Sequence, residues 1–141
     1  MKKIFLLFGL VLLSNCGVHR IPGNIAEDNV LKKVKESKKL DDQKFVDTKI
    51  QVGNYLNLSD EVKSKLVTHF ENEKKELNAV EDFQEQELAR IIIKYETNFR
   101  NNLNKDQLEV YKKLRKRFDD IYFYSEYSTD ILKNRYFKLK N

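Results

Sequence analysis

The sequence predicts an all-α protein, built as an elongated antiparallel helical hairpin with one or two additional helices. Charged residues make up 35% of the 141-residue chain, and Lys and Glu are interspersed as they are on solvated helices. Helix breakers almost disappear after residue 23, where Gly53 is the single glycine and proline is absent. Apolar residues then recur at spacings of three and four, which is the period of an amphipathic helix.

The first fifteen residues are typical of a secretory signal peptide. Two lysines follow Met1 and lead into an apolar run from Ile4 to Leu13. This run is too short to remain as a membrane span, because a hydrocarbon core of ~30 Å takes roughly 20 apolar residues. We therefore predict that residues 1–15 are a removable leader, residues 16–23 a tether and residues 24–141 one helical domain.

The leader ends in Leu12-Leu13-Ser14-Asn15, and the next residue, Cys16, is the single cysteine of the chain. This stretch resembles a bacterial lipobox, with Leu at −3, Ser at −2 and Asn15 in place of the usual small residue at −1. The resemblance implies that Cys16 carries a diacylglycerol and an amide-linked acyl chain such as palmitate. Two or three acyl chains would anchor the protein to a membrane, since each buried methylene contributes ~0.8 kcal/mol.

The expected location is the bacterial envelope, on the periplasmic side or at the cell surface. Gly17 follows the cysteine instead of the Asp that retains many lipoproteins at the inner membrane, which favours the outer membrane. The formal net charge is +5 for the whole chain and +3 without the two leader lysines. Such a small excess of positive charge, on a protein expected to be exported, argues against nucleic acid as a partner.

The first helix of the domain is predicted to begin at Asn24. Asn24 is a good N-cap, and Glu27 stands three residues later, as in a capping box. A largely polar stretch follows, so stable helix over residues 24–55 depends on packing against the rest of the chain. The segment from Phe45 to Tyr55 is expected to stop near Gly53.

The second helix is predicted from Ser59 to about Asn101, a length of roughly 60 Å at 1.5 Å per residue. Ser59 is a good N-cap, and Asp60 and Glu61 follow in the first turn, where the helix dipole favours negative charge. An apolar stripe runs along the segment, with a polar patch between Glu81 and Glu87.

The third helix is predicted to begin at Asn104. The Asn104 and Gln107 side chains can each accept a hydrogen bond from the other residue's backbone amide, which closes a capping box. A short turn at residues 101–103 would make the second and third helices antiparallel neighbours, giving a hairpin that extends to about Tyr127.

Two of these helix starts resemble the paired LTxxQ motif of Spy/CpxP-type periplasmic helical proteins. The second, LNKDQL, matches with Leu103, Asn104 in the Thr position and Gln107, whereas the first, NLSDEV, has Leu58 and Ser59 but Val62 in the Gln position. The resemblance covers residues 56–118.

The resemblance implies a non-catalytic chaperone or envelope-stress accessory protein that forms a homodimer. Such a protein would shield unfolded protein clients on a concave surface that mixes apolar and basic groups. The side chains that could provide this surface here are Arg90, Ile93, Lys94 and Arg100.

Aromatic residues crowd the last quarter of the chain and suggest an alternative function. Tyr122, Tyr124 and Tyr127 belong either to the core or to an exposed binding patch, because amphipathic aromatic side chains are favoured at interfaces. A patch of this kind would suit a surface lipoprotein with a structural role or with one specific partner, such as a host molecule.

The sequence shows no pattern typical of an enzyme, and we expect neither catalytic activity nor a cofactor. His69 and Glu73 are spaced four apart and could offer two ligands to a metal on one helix face. A zinc site needs at least three protein ligands, so these residues are weak candidates, and we expect His69 to face solvent instead.

Overall fold

The computed structural model describes the backbone of residues 22–113, 121–124 and 126–138, and side chains from residue 29 onward within these ranges. The predicted leader, Cys16 and residues 114–120 lie outside this part of the chain. Every regular element within it is a helix, which confirms the predicted all-α class. The helices are α1 (Pro22–Lys38), α2 (Asp42–Lys49), α3 (Val52–Tyr55), α4 (Asp60–Asn78), α5 (Glu85–Asn101), α6 (Lys105–Lys113) and α7 (Glu126–Tyr136).

Helix α1 begins at Pro22, two residues before the predicted start at Asn24 and inside the predicted tether. Proline suits the first helical position, since its missing N–H would have no partner there and its φ angle already fits a helix. The helix buries Val30, Leu31 and Val34 against the rest of the body. None of the described helices is long and apolar enough to span a membrane.

Two lysines link the C-terminal ends of α1 and α4. Lys74 of α4 donates to the carbonyl oxygen of Lys38, the last residue of α1, at 2.6 Å. Lys38 donates in turn to the carbonyl oxygen of Val80, just beyond α4, and to Asp82 at 2.6 Å. Carbonyls at a helix C-terminus have no partner within the helix, so Lys74 satisfies one of them at the end of α1, and the two lysines together link the ends of the helices.

Helix α3 ends at a residue other than the predicted glycine. Gly53 lies inside this one-turn helix, and the left-handed backbone position is Asn57, with φ 52°. The amide of Leu58 donates to the carbonyl of Gly53 at 2.8 Å, and the amide of Asn57 donates to that of Asn54 at 3.4 Å. This is the Schellman pattern, in which asparagine tolerates the positive φ because its short polar side chain bonds locally.

The predicted continuous helix from Ser59 to Asn101 is wrong, because the chain breaks at residues 79–84. The break falls in the polar patch that begins at Glu81, where no apolar side chain faces the core. Gln84 accepts a hydrogen bond from the Glu81 amide at 3.0 Å and so closes a turn without glycine or proline. The short turn predicted at residues 101–103 is present, but it joins α5 to the nine-residue α6.

Helices α4 and α5 are therefore the antiparallel pair. The six residues that connect them, 79–84, form a short turn, as between antiparallel neighbouring helices. The two helices contact each other where Glu76 and His69 of α4 meet Tyr95 of α5. Helix α7 packs along α5 in the opposite direction, because Thr129 meets Arg100 and Tyr136 meets Glu85.

The predicted caps of α4 and α6 are both formed. Ser59 accepts a hydrogen bond from the Val62 amide at 3.3 Å. Asn104 accepts from the Gln107 amide at 2.8 Å, while Gln107 accepts from the Asn104 amide at 3.0 Å. The reciprocal pair is a capping box, which satisfies two donors at the start of α6.

Substitutions of Asn57 test whether its left-handed backbone conformation ends α3. We expect Asn57→Ala to lower the free energy of unfolding by about 1 kcal/mol, because a left-handed backbone costs an L-residue roughly that much. Asn57→Gly should match or exceed the parent protein, since glycine adopts positive φ freely. Urea denaturation followed by circular dichroism measures both, and equal losses in the two variants would contradict the assignment.

The candidate binding groove and the buried ion cluster

A lysine lies at the centre of the core, with its ammonium group fully enclosed. Lys49 of α2 is 1% exposed, and its Nζ lies 2.7 and 2.8 Å from the two carboxylate oxygens of Glu73 on α4. A second buried carboxyl group, on Glu96 of α5, lies 3.8 Å away. The Phe123 ring covers the ammonium at 4.7 Å, a distance at which a cation is attracted to the ring face.

Tyr111 of α6 connects this cluster to the segment 121–124. Its hydroxyl oxygen lies 2.7 Å from the Tyr124 carbonyl oxygen and 3.1 Å from Oε2 of Glu96. The hydroxyl can donate to either oxygen, and the shorter distance favours the Tyr124 carbonyl. Tyr111 therefore links the Glu96 carboxyl group to the backbone of segment 121–124.

Burial dominates the titration of the cluster. It raises the pKa of Glu96 to about 7, with Lys49 opposing the shift and Glu73 reinforcing it. Burial likewise raises the pKa of Glu73, against the effect of the ammonium beside it. Desolvation and the nearby Lys49 charge lower the pKa of His69 to about 4, so this imidazole is neutral at physiological pH.

Arg100 extends the polar interior toward α7. It is 9% exposed, and its Nη2 donates to the Thr129 hydroxyl at 3.0 Å. The Thr129 hydroxyl in turn donates a hydrogen bond to the Glu126 carbonyl oxygen at 2.9 Å. The cluster thus contacts α2, α4, α5, α6 and α7, and its buried groups offer no approach to a substrate. We assign it a structural role.

The predicted binding residues Arg90, Ile93 and Lys94 line a surface groove between α5 and α7. Lys133 of α7 and Phe137, the residue that follows α7, line its other side. The groove has a volume of about 330 Å³. The Arg90 guanidinium lies 5.0 Å from the centre of the Phe137 ring. Three cations therefore surround a floor made of one aliphatic and one aromatic side chain.

Two of the predicted binding residues belong to the interior instead. Arg100 is directed into the core, because α5 turns this face toward α7, and Tyr124 is 4% exposed. Tyr122 is half-buried against the core, whereas Tyr127 is 55% exposed. The three tyrosines do not form one patch.

The weak metal candidates also have other roles. Glu73 is occupied by Lys49, so it is directed away from solvent, and the His69 ring packs edge-on against Phe70 and Tyr95 at 5.3 and 5.0 Å. His69 is therefore half-buried, where a fully solvent-facing position was expected. Among the described residues, no group of three or more His, Cys, Asp or Glu side chains is arranged to hold a metal.

Sequence reasoning missed Lys49, Lys133 and Phe137. Lys49 is one of many lysines, and a fully buried cation carries no local sequence signal. Lys133 and Phe137 are four residues apart on a short amphipathic segment, and this spacing could have placed them together. Their position beside Arg90 depends on tertiary packing.

No model of a known protein family matches the chain, and no curated protein or solved structure matches it.

The ion cluster can be tested by removing its cation. Lys49→Met should lower the free energy of unfolding by roughly 3–5 kcal/mol, because it leaves the buried Glu73 carboxylate without a partner. The double variant Lys49→Met with Glu73→Leu should recover most of this loss, since both charges are then gone. Urea denaturation of the four proteins of this double-mutant cycle measures the coupling. Additive losses would contradict the pairing.

Glu96 and His69 should have opposite effects on the free energy of unfolding as the pH falls. The folded pKa of Glu96 lies above its unfolded value, so acidification from pH 7 to 4.5 stabilises the fold through this group. The folded pKa of His69 lies below its unfolded value, so acidification from pH 6.5 to 4 destabilises it.

Two substitutions should separate these effects. Glu96→Gln should make the free energy of unfolding fall more steeply between pH 6.5 and 5 than in the parent protein. His69→Gln should make it rise as the pH falls across the same interval. Denaturant titrations at several pH values measure the slopes, and parallel slopes for the two variants would refute the assignment.

Proposed function

We propose that the chain is a lipid-anchored, non-catalytic protein of the bacterial envelope that binds polypeptide segments and acts as a chaperone or envelope-stress accessory protein. The groove between α5 and α7 carries this proposal. It combines apolar floor residues, Ile93 and Phe137, with the cations Arg90, Lys94 and Lys133. Incompletely folded chains expose apolar side chains beside charged ones, and a groove of this composition fits both.

The electrostatics of the groove favour clients with acidic groups beside the apolar ones. Arg90 and Lys133 have side chains 57% and 45% exposed, each paired with an acid three residues earlier in its own helix. Exposed ion pairs of this kind contribute little to stability, so the carboxylate of a client can replace the acidic partner of each pair at low cost in free energy. Lys94 is half-exposed and bonds to Glu76 at 2.7 Å.

The lipid anchor is the second part of the proposal and rests on the lipobox-like sequence at Cys16. The five residues between Cys16 and Pro22 would hold α1 close to the lipid headgroups. The groove would then work at a membrane surface, with the outer membrane as the proposed site. Mass spectrometry of the natural protein tests this part separately, and an unmodified Cys16 thiol or an uncleaved leader would refute it.

A surface lipoprotein that binds one partner, such as a host molecule, is the second candidate function. The small size of the groove favours it, since about 330 Å³ holds one or two side chains. The buried ion cluster also joins α2, α4 and α5 into a fixed body, which suits one ligand better than many. Under this candidate the protein would bind one ligand and leave unrelated unfolded proteins unaffected.

An aggregation assay discriminates between the two candidates. Near-stoichiometric amounts of the full chain should suppress light scattering by two unrelated heat-denatured clients. The variant Arg90→Gln with Lys133→Gln should need roughly threefold more protein for the same suppression, as expected from losing two exposed charges of a few tenths of a kcal/mol each.

The matched control is Lys112→Gln with Lys65→Gln. These lysines are also exposed and also pair with acids one turn earlier, but they lie on α6 and α4 away from the groove. The control should equal the parent protein. No suppression by the parent, or equal impairment of both double variants, would reject the chaperone role of the groove.

A further inference from the structure

The loop between α4 and α5 presents a large aromatic side chain to solvent. Phe83 is 81% exposed, far more than any other large apolar residue in the described part of the chain. Asp82, the residue before it, contacts Lys38 at 2.6 Å. Glu85, two residues after it, contacts Lys35 at 2.9 Å. These two ion pairs join the loop to α1, so the exposed ring lies beside the C-terminal half of that helix.

This part of α1 carries a surplus of positive charge. Five lysines and one acid, Glu36, lie within residues 32–39. Three of the lysines are each paired with one acid, and these are Lys33, Lys35 and Lys38. The other two, Lys32 and Lys39, are exposed and form no ion pair with any described residue. Two positive charges therefore remain available to a partner.

A surface depression of about 390 Å³ joins the basic segment to the loop. Lys32 and Lys39 line it from α1 and the residue that follows, and Asp82 and Glu85 line it from the opposite side. Glu81, the remaining acid of the loop, does not line it. The two unpaired lysines and the residues flanking Phe83 thus belong to one continuous surface.

The proposed lipid anchor would bring this surface to a membrane. Five residues separate Cys16 from Pro22, where α1 begins, and such a segment spans at most roughly 20 Å. Helix α1 has 17 residues and is about 25 Å long at 1.5 Å per residue. When α1 lies along the membrane, its C-terminal lysines and the neighbouring loop therefore reach the lipid headgroups as well.

The composition of the surface suits lipid better than a protein partner. Anionic headgroups attract lysines, and an aromatic ring is stabilised at the apolar boundary beneath the headgroups. Phe83 is isolated, because none of the other exposed large apolar residues of the described chain lies in this loop. A protein interface buries a contiguous apolar centre, whereas one ring can insert among headgroups without apolar neighbours.

We propose that the surface formed by Lys32, Lys39 and Phe83 docks on a membrane, with both lysines at anionic headgroups and the Phe83 ring inserted between them. A lipid anchor alone leaves the orientation of the protein free, and this docking fixes it. The groove between α5 and α7 is then held in one orientation relative to the bilayer. The identity of the membrane rests on the proposed function, since the anchor selects it.

A tryptophan at position 83 tests the docking, because the chain contains no other tryptophan. The full protein carrying Phe83→Trp is purified from cells and mixed with excess vesicles of phosphatidylglycerol and phosphatidylcholine. The phosphatidylcholine is brominated near the headgroup end of its acyl chains, and bromine quenches tryptophan fluorescence only at close range. We expect strong quenching together with a blue shift of the emission.

Val62→Trp is the matched reporter, since Val62 is also exposed, at 40%. It precedes Lys74 by twelve residues in α4, and Lys74 contacts the end of α1, so Val62 lies about 18 Å along the helix from that contact. This reporter should show little quenching in the same vesicles.

Removing the two unpaired lysines should release the surface. Lys32→Gln with Lys39→Gln, added to the Phe83→Trp protein, should lower the ratio of quenched to unquenched emission roughly thirtyfold, at about fivefold per lysine near an anionic surface. Vesicles of phosphatidylcholine alone should have a similar effect on the protein with both lysines. Lys65→Gln with Lys112→Gln removes the same charge elsewhere and should leave the quenching unchanged.

Quenching at position 83 no stronger than at position 62, or an equal loss in both lysine double variants, would overturn the proposal. Because the vesicles are in excess, the docking is measured whether or not Cys16 carries lipid, and mass spectrometry of the same sample reports the anchor separately. The experiment contains no client, so its failure and that of the aggregation assay are distinguishable.

Discussion

The Lys49–Glu73 ion pair is the interaction on which the rest of the structure depends. Burying an ammonium and a carboxylate costs several kcal/mol per ion, and the cost is offset only when both charges are closely paired and surrounded by fitting groups. Here the pair has two short contacts, an aromatic ring over the cation and a second carboxyl group, Glu96, within reach. Because these groups come from separate helices, the electrostatic requirement fixes how the helices pack.

The sequence predicted correctly those features that depend only on residues close together in the chain. The caps at Ser59 and Asn104 depend on side chains within three residues, and both are formed. The break after α4 was missed because Gln84 makes the turn with its side chain and leaves no glycine or proline to mark it. Arg100 was misplaced for a different reason, since a charged residue on an amphipathic helix is expected to face solvent unless a distant partner such as Thr129 receives it.

Helix α5 connects the interior of the protein to its surface. One side of the helix is buried and carries Glu96 into the ion cluster, while the opposite side carries Arg90 and Lys94 along the groove. The groove residues that were predicted lie on this helix, and those that were missed, Lys133 and Phe137, follow from the way α7 packs against it. The surface chemistry of the protein is therefore set by the same helix that orders its core.

The placement of the buried charges determines whether a fragment of the chain can fold independently. The α4–α5 pair by itself would carry the carboxyl groups of Glu73 and Glu96 on its inner side, without the ammonium from α2 that balances them. Residues preceding α4 would in turn hold a short helix, α2, whose buried Lys49 has no counter-ion. Neither fragment is an autonomous folding unit, so the molecule should assemble in one cooperative step, with limited proteolysis giving either intact protein or small peptides.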